Sequence, residues 1–284
     1  MMNIFTKIDA LQIFLGPKLK TGLTVGFVPT MGALHAGHLN LVNRSKVETD
    51  LTVCSIFVNP IQFNNKADLE KYPRPLEQDL GKLEAAGCDV AFVPDAGEMY
   101  PEGENYFVDV DFGNLDKVME GRFRPGHFNG VAIVVKKLFD IVQPTHAYFG
   151  KKDYQQLAVI MHMVHQLKLP VMIIPCETVR EPDGLAMSSR NIRLTPEQRN
   201  LAPGIFRELE SIRENAGTGP VSELQVNAIN RINDIPGFKV EYLEIGDRET
   251  LMPVSNPQAP GRGVAFVAVF AGDVRLIDNI ELFS

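Results

Sequence analysis

The amino-acid sequence predicts an α/β fold, a Rossmann-like doubly wound parallel sheet with a smaller C-terminal α+β domain. Three observations predict it. Helical and strand-like segments alternate through the first 176 residues, the strands among them are apolar almost without interruption, and a glycine-bearing turn joins the first of them to a helix. A strand covered by helices on both faces has no polar side to show, so a near-continuous apolar run reads as a buried parallel strand.

The first such run, residues 23–30 (LTVGFVPT), ends at Met31-Gly32 and passes into a helical pattern through His38, Leu39, Leu41 and Val42. The second, residues 51–58 (LTVCSIFV), closes a βαβ unit over 23–58. A helix near 76–86 repeats Leu76, Leu80 and Leu83 at helical spacing and stops at Gly87, before a strand over 90–93. Helix 128–142, strand 146–149, helix 155–167 and strand 171–175 continue the alternation.

After Cys176 the pattern changes to a polar loop (EPDGLAMSSRN) and then Thr195-Pro196-Glu197-Gln198, where threonine before proline with glutamine three residues on marks a helix start. Helices over 204–215 and 221–233, with Pro203 breaking the first from its predecessor, and strands over 239–245 and 263–270 complete a compact α+β segment. Two domains are expected: 1–176, which binds the ligands, and 177–284, which closes over the active site.

Composition excludes several classes. Lysine and arginine number 28 against 35 acidic residues, a net charge of -7, and no basic run is present to neutralise a nucleic-acid backbone. The N-terminal stretch MMNIFTKIDALQIF is amphipathic but lacks the apolar core and cleavage site of a signal peptide, and no later stretch reaches about 18 apolar residues. A cytoplasmic protein without nucleic-acid or membrane partners is expected. The three cysteines, Cys54, Cys88 and Cys176, are widely spaced in or beside apolar segments and read as buried free thiols.

The most informative stretch is PTMGALHAGH, residues 29–38, at the carboxyl end of the first strand, where open α/β sheets bind ligands. His35 and His38 are three apart at the start of a helix, so both imidazoles share a face with unpaired backbone N–H groups, an anion pocket. Gly37 removes a side chain where a polyphosphate would approach, and Gly32 permits the sharp turn. The competing reading, helix-surface or metal-ligand histidines, is weakened by those glycines and by the lack of third and fourth ligands at zinc spacing.

Asn59 and Gln62, in FVNPIQF, leave the second strand at the same sheet edge, where neutral amides can hold hydroxyls. Gly150-Lys151-Lys152-Asp153 repeats the strand-to-helix geometry of the first loop, with a surface ion pair between Lys152 and Asp153 as the alternative. Met187-Ser188-Ser189-Arg190 offers two hydroxyls and a guanidinium to phosphate oxygens, with an ordinary serine-rich turn as its alternative. His162 and His165 share a helix face without any flanking sign of a ligand role. A flexible basic loop around His127, Arg122 and Arg124 is one possibility, and Glu77 and Asp79 are candidate magnesium neighbours without commitment.

PTMGALHAGH resembles the H-x-G-H signature of nucleotidylyltransferases and class I aminoacyl-tRNA synthetases. With FVPTMGALHAGH, FVNPIQF, YFGKKDYQQL and DGLAMSSRN in that order, the chain is similar to the pantothenate synthetase (pantoate–β-alanine ligase) family over nearly its whole length, least so toward the C-terminus. The resemblance implies ATP-dependent condensation of (R)-pantoate with β-alanine through a pantoyl-adenylate, releasing AMP and pyrophosphate. It implies ATP binding by Met31, Gly32, His35, Gly37, His38, Gly150, Lys152, Asp153, Val179, Met187, Ser188, Ser189 and Arg190. His35, His38, Lys152, Ser188, Ser189 and Arg190 are the expected catalytic donors. In the family pattern G-x-K-D, Lys152 meets a phosphate oxygen and Asp153 the ribose or adenosine side.

Gln62 and Gln156 are implied to bind pantoate, and Asn59 is counted with them. Mg2+ is expected mainly on the nucleotide phosphates with no protein metal ligand, and a homodimer is implied by the family alone. The alternative within the superfamily is a nucleotidylyltransferase that passes AMP to another small acceptor. A nucleotide sensor or a tRNA-binding relative is a further alternative, opposed by the acidic charge and the full set of phosphate-binding side chains.

Overall fold

A computed structural model describes residues 1–103, 106–217, 219–254 and 263–282. Its contacts divide the chain into two compact units. The first holds 1–112, 124–151 and 156–177, and the second holds 113–123, 152–155 and 178–284.

The first unit is built on six parallel strands: β1 (Asn3–Phe5), β2 (Val25–Thr30), β3 (Leu51–Ile56), β4 (Val90–Phe92), β5 (His146–Gly150) and β6 (Met172–Cys176). They lie in the order β1-β4-β3-β2-β5-β6. Every pairing is parallel, with Val25 opposite Leu51 and Thr30 opposite Ile56 between β2 and β3. From β2 the chain winds outward to β3 and β4, then crosses back to place β5 on the other flank of β2. The carboxyl ends of β2 and β5 therefore face a topological switch point, where a crevice opens in sheets of this kind.

Helices α1 (Ile8–Lys20), α2 (Ala36–Glu48), α3 (Lys66–Glu70), α4 (Leu76–Ala85), α5 (Ala96–Met99), α7 (His127–Val142) and most of α8 (Tyr154–Gln166) belong to this unit, whereas α6 (Met119–Phe123) belongs to the second. Helices cover both sheet faces, which is why the strands lack a polar side. Phe27 of β2 meets Phe139 of α7 edge-on at 6.3 Å, while its neighbour Val28 packs with Leu41 and Val42 of α2 and Leu83 of α4. Cys54, Cys88 and Cys176 are free and buried in or beside this core, as the sequence predicts, and burial raises the Cys88 thiol to about 11. Two N-terminal elements, β1 and the thirteen-residue α1, escape sequence reading: a three-residue strand shows no periodicity, and the helix has no side-chain cap to mark its start.

The second unit contains an antiparallel sheet, β7 (Phe238–Asp247), β8 (Gly263–Ala271) and β9 (Val274–Glu281), with β8 central. The sequence predicts only its first two strands. Helices α9 (Pro196–Leu201), α10 (Pro203–Asn215) and α11 (Val221–Asn233) supply the apolar cover, with Leu209, Ile212 and Ile232 packed against Val267, Val269 and Leu276. The predicted helix start is present as a capping box: Gln198 N–H donates to Thr195 Oγ1 at 3.2 Å and Thr195 N–H to Gln198 Oε1 at 3.0 Å.

Candidate active site

The turn between β2 and α2 is held from below by α4. Gly32 and Ala33 both take left-handed backbone angles, φ +78° and +49°, and the Asp79 carboxylate, 1% exposed, locks the turn. Its Oδ2 accepts from Ala33 N–H at 2.7 Å and its Oδ1 from Leu34 N–H at 2.8 Å. A Cβ on Gly32 would stand 3.1 Å from that same Oδ2 and be crowded by it, while the positive φ strains any other residue there. Lys82 adds a hydrogen bond to Leu34 O at 2.6 Å. Asp79 thus serves the turn with both oxygens.

The turn delivers the two histidines as a reciprocal helix cap. Gly37 N–H donates to His35 Nδ1 at 3.2 Å, His35 N–H donates to His38 Nδ1 at 3.3 Å, and the rings lie 4.1 Å apart. A neutral imidazole that accepts at Nδ1 carries its hydrogen on Nε2. The cap therefore selects one tautomer at both rings and makes each Nε2 a donor, the role that an anionic ligand needs.

Beside them, residues 59–62 form a short 3-10 turn after β3 in which the polarity of each amide is determined. A carbonyl oxygen only accepts, so the Gly130 carbonyl orients Asn59 with Nδ2 toward it (3.2 Å) and toward Gln62 Oε1 (3.0 Å). Asn59 Oδ1 then takes the Tyr100 hydroxyl at 2.8 Å. With Oε1 occupied, Gln62 keeps Nε2, a donor, at 3.1 Å from Met31 Sδ. His127, buried, sets its Nδ1 2.9 Å from Gln62 O. Gly130 is obligatory here, since a Cβ would meet Ile61 O at 2.6 Å and Gln62 Cα at 2.8 Å. Gly150 ends β5, the neighbour of β2, and Gln156 lies half-buried in the first turn of α8.

In the second unit, Val179 and Met187 close a hairpin: Met187 N–H donates to Val179 O at 3.0 Å, with Arg180 and Ala186 bridged antiparallel between them. Residues 187–190 follow, half-buried, and turn back as Arg190 N–H donates to Ser188 Oγ at 3.2 Å. Lys152 Nζ lies 3.7 Å from Asp153 Oδ1, too long for a hydrogen bond, and the lysine side chain is 17% exposed. Lys151, read from sequence as solvated, instead pairs with Glu177 at 2.6 Å.

The Pantoate-beta-alanine ligase family model matches residues 3–281. The chain belongs to that family. Bacteroides fragilis pantothenate synthetase is 50% identical over 280 residues, 99% of each chain. The crystal structure of Thermus thermophilus pantothenate synthetase is similar with a TM-score of 0.91 at 45% identity, over 100% of both chains. That of Francisella tularensis pantoate-beta-alanine ligase, complexed with beta-gamma ATP and β-alanine, gives 0.83 at 35% identity, over 99% of this chain and 98% of that one. As a pantoate–β-alanine ligase, the chain joins pantoate to β-alanine at the expense of ATP.

Several supports of the ligase site are invisible to motif reading. Asp79, in sequence only an uncommitted magnesium neighbour, spends both carboxylate oxygens on the backbone of the turn. Tyr100 lies far from any motif, and His127 reads as part of a mobile basic loop, whereas it braces Gln62 from a buried place. His162 Nε2, 2.8 Å from Asp111 O, supports the chain before α6.

Proposed function

We propose that the chain forms pantoyl-adenylate from ATP and (R)-pantoate and then pantothenate from the adenylate and β-alanine. In the first step a pantoate carboxylate oxygen bonds to the α-phosphorus, the bond from that phosphorus to the bridging oxygen breaks, and pyrophosphate leaves with the electron pair. In the second, the β-alanine amine attacks the acyl carbon, AMP departs, and the amine loses its proton. No side-chain nucleophile is needed, so catalysis is positioning plus stabilisation of charge on phosphoryl oxygens.

One observation carries this reading: a reciprocal cap that fixes His35 and His38 in the tautomer with Nε2–H donors at the carboxyl end of β2. Met31, Gly32, Gly37 and Gly150 let the nucleotide approach the backbone, and the His35 and His38 donors meet its phosphates. Lys152, Ser188, Ser189 and Arg190 supply the remaining positive and hydroxyl donors, Asp153 accepts from the ribose side, and Val179 and Met187 bound the nucleotide. Gln62 and Gln156 bind pantoate, while Asn59, whose amide is engaged on both sides, acts on pantoate through Gln62. Residues 1–176 carry nucleotide and pantoate recognition, and 177–284 form the smaller C-terminal domain.

Magnesium enters on the phosphates: Asp79 is committed to backbone N–H groups, and no three His, Cys, Asp or Glu among the described residues gather to hold a metal. The protein works in the cytoplasm as a homodimer; no helix among the described residues is long and apolar enough to cross a membrane.

Exchange of pyrophosphate into ATP, measured with and without pantoate, tests the reading. Exchange requires pantoate, and free AMP appears only when β-alanine is added as well. Exchange without pantoate refutes it. Gln62→Ala raises the pantoate KM by about tenfold, the loss of one directed hydrogen bond to a charged ligand. Tyr100→Phe raises it less, by about threefold, because it loosens only the orientation of the amide. An unchanged pantoate KM in both variants removes Gln62 from the pantoate site.

A further inference from the structure

Strand β9 ends the second unit with two polar residues, Asp278 and Asn279, 6% and 7% exposed, inside an apolar run. Two adjacent polar side chains at that depth require partners. Both find them in segments assigned above to phosphate binding. Asp278 Oδ2 accepts from Arg180 Nη1 at 2.6 Å and its Oδ1 from Arg180 Nη2 at 2.9 Å, a bidentate fork on the hairpin that leads into residues 187–190. Arg180 also donates to Gly184 O at 3.1 Å across the hairpin turn, and its guanidinium lies 3.6 Å from the Phe206 ring centroid.

Asn279 works in the other direction. Its Nδ2 donates to Lys152 O at 2.8 Å, while its own carbonyl accepts from Arg180 Nη2 at 3.2 Å and its N–H donates to Asp278 Oδ1 at 2.8 Å. Successive side chains of a strand point to opposite faces, so one two-residue step of β9 reaches the hairpin on one face and the Lys152 backbone on the other. Burial pushes the Asp278 carboxyl up from the usual aspartate value, with the Arg180 hydrogen bonds and charge opposing it.

We propose that Asp278 and Asn279 are positioning residues of the adenylation step, a bracket that sets the Lys152 loop and the 179–187 hairpin, with the residues 188–190 that follow it, in fixed register with each other. Neither touches substrate; each acts through the backbone or the guanidinium it holds. This rests on the reading that Lys152 and residues 188–190 act on the phosphates of ATP. A misplacement of about 1 Å between such donors costs up to about a hundredfold in rate. The bracket matters most while a triphosphate is being cleaved. The second half-reaction breaks no phosphoanhydride, so the donors that the bracket aligns contribute far less to it.

The test is Asn279→Asp, isosteric but presenting an acceptor to Lys152 O. Pantoate-dependent pyrophosphate–ATP exchange falls by about tenfold or more in kcat/KM for ATP. Pantothenate formation from supplied pantoyl-adenylate and β-alanine stays within about twofold of wild type. A merely structural role lowers both half-reactions together, through the folded fraction. Equal losses in the two, or exchange less than about threefold below wild type, overturn the proposal. If Asn279→Asp does not fold, the same pair of measurements on Asp278→Asn decides, with the same outcomes. Wild-type exchange that ignores pantoate would instead defeat the underlying functional reading.

Discussion

His38→Asn lowers pyrophosphate–ATP exchange by about 10²-fold, the cost of one preorganised donor to developing charge, while thermal stability stays near wild type. The separation comes from the cap. Asparagine Oδ1 occupies the position of His38 Nδ1 and can still accept the His35 N–H, which the histidine holds at 3.3 Å, but nothing replaces Nε2–H. His38→Ala loses both contacts. It falls as far in exchange and in addition loses about 1 kcal/mol of stability through the cap. Melting curves and exchange rates of the two variants decide the matter. Should His38→Asn retain exchange, the histidine serves the helix and not the phosphates; should it melt as early as His38→Ala, the reciprocal cap is not what orders the turn.

That prediction depends on a detail beyond the reach of the sequence. The apolar strands, their parallel winding and the placement of His35, His38, Asn59, Gln62, Gly150 and Lys152 at strand ends or in the loops and first helical turns that follow them are all legible, because each follows from periodicity or from a local turn signal. Tautomers and amide orientations are not, since they depend on which group faces which across long sequence separations. Gly130 O orients Asn59 from 71 residues away. Asp79 serves a turn 45 and 46 residues before it.

The last strand was illegible for a related reason. Asp278-Asn279 interrupts the apolar run that would announce β9, and their burial is acceptable only because Arg180 and Lys152 O are there to meet them. Segments 113–123 and 152–155, both in the second unit, likewise carry no boundary signal in sequence. Gln155 joins them: its Nε2 donates to Leu115 O at 2.7 Å and Val118 O at 2.9 Å, and its Oε1 accepts from Glu120 N–H at 3.0 Å.

Arg275→Met destabilises the protein by about 3–5 kcal/mol, the usual cost of leaving a buried carboxylate, here that of Glu120, without its cation. Arg275 forks onto Glu120 at 2.6 and 2.9 Å and reaches Glu241 Oε2 at 2.5 and 2.9 Å, while the Tyr242 hydroxyl donates to Glu120 Oε1 at 2.8 Å. Glu120 is 6% exposed, so water cannot take over its solvation when the guanidinium goes. Urea titration reads the loss as a lower midpoint at unchanged slope. Replacing the whole cluster, Glu120→Leu, Glu241→Leu, Tyr242→Phe and Arg275→Met together, recovers most of it, because an apolar set of similar volume has no charge to desolvate. A single variant as stable as wild type would mean that the cluster is solvated in solution. Arg275 and Asn279 point to the same face of β9, four residues apart, yet the two perturbations separate cleanly. Arg275→Met lowers stability and leaves the ATP kinetics of the folded fraction near wild type, whereas Asn279→Asp does the reverse, because one side chain holds a segment in the fold and the other holds a lysine in register with a phosphate.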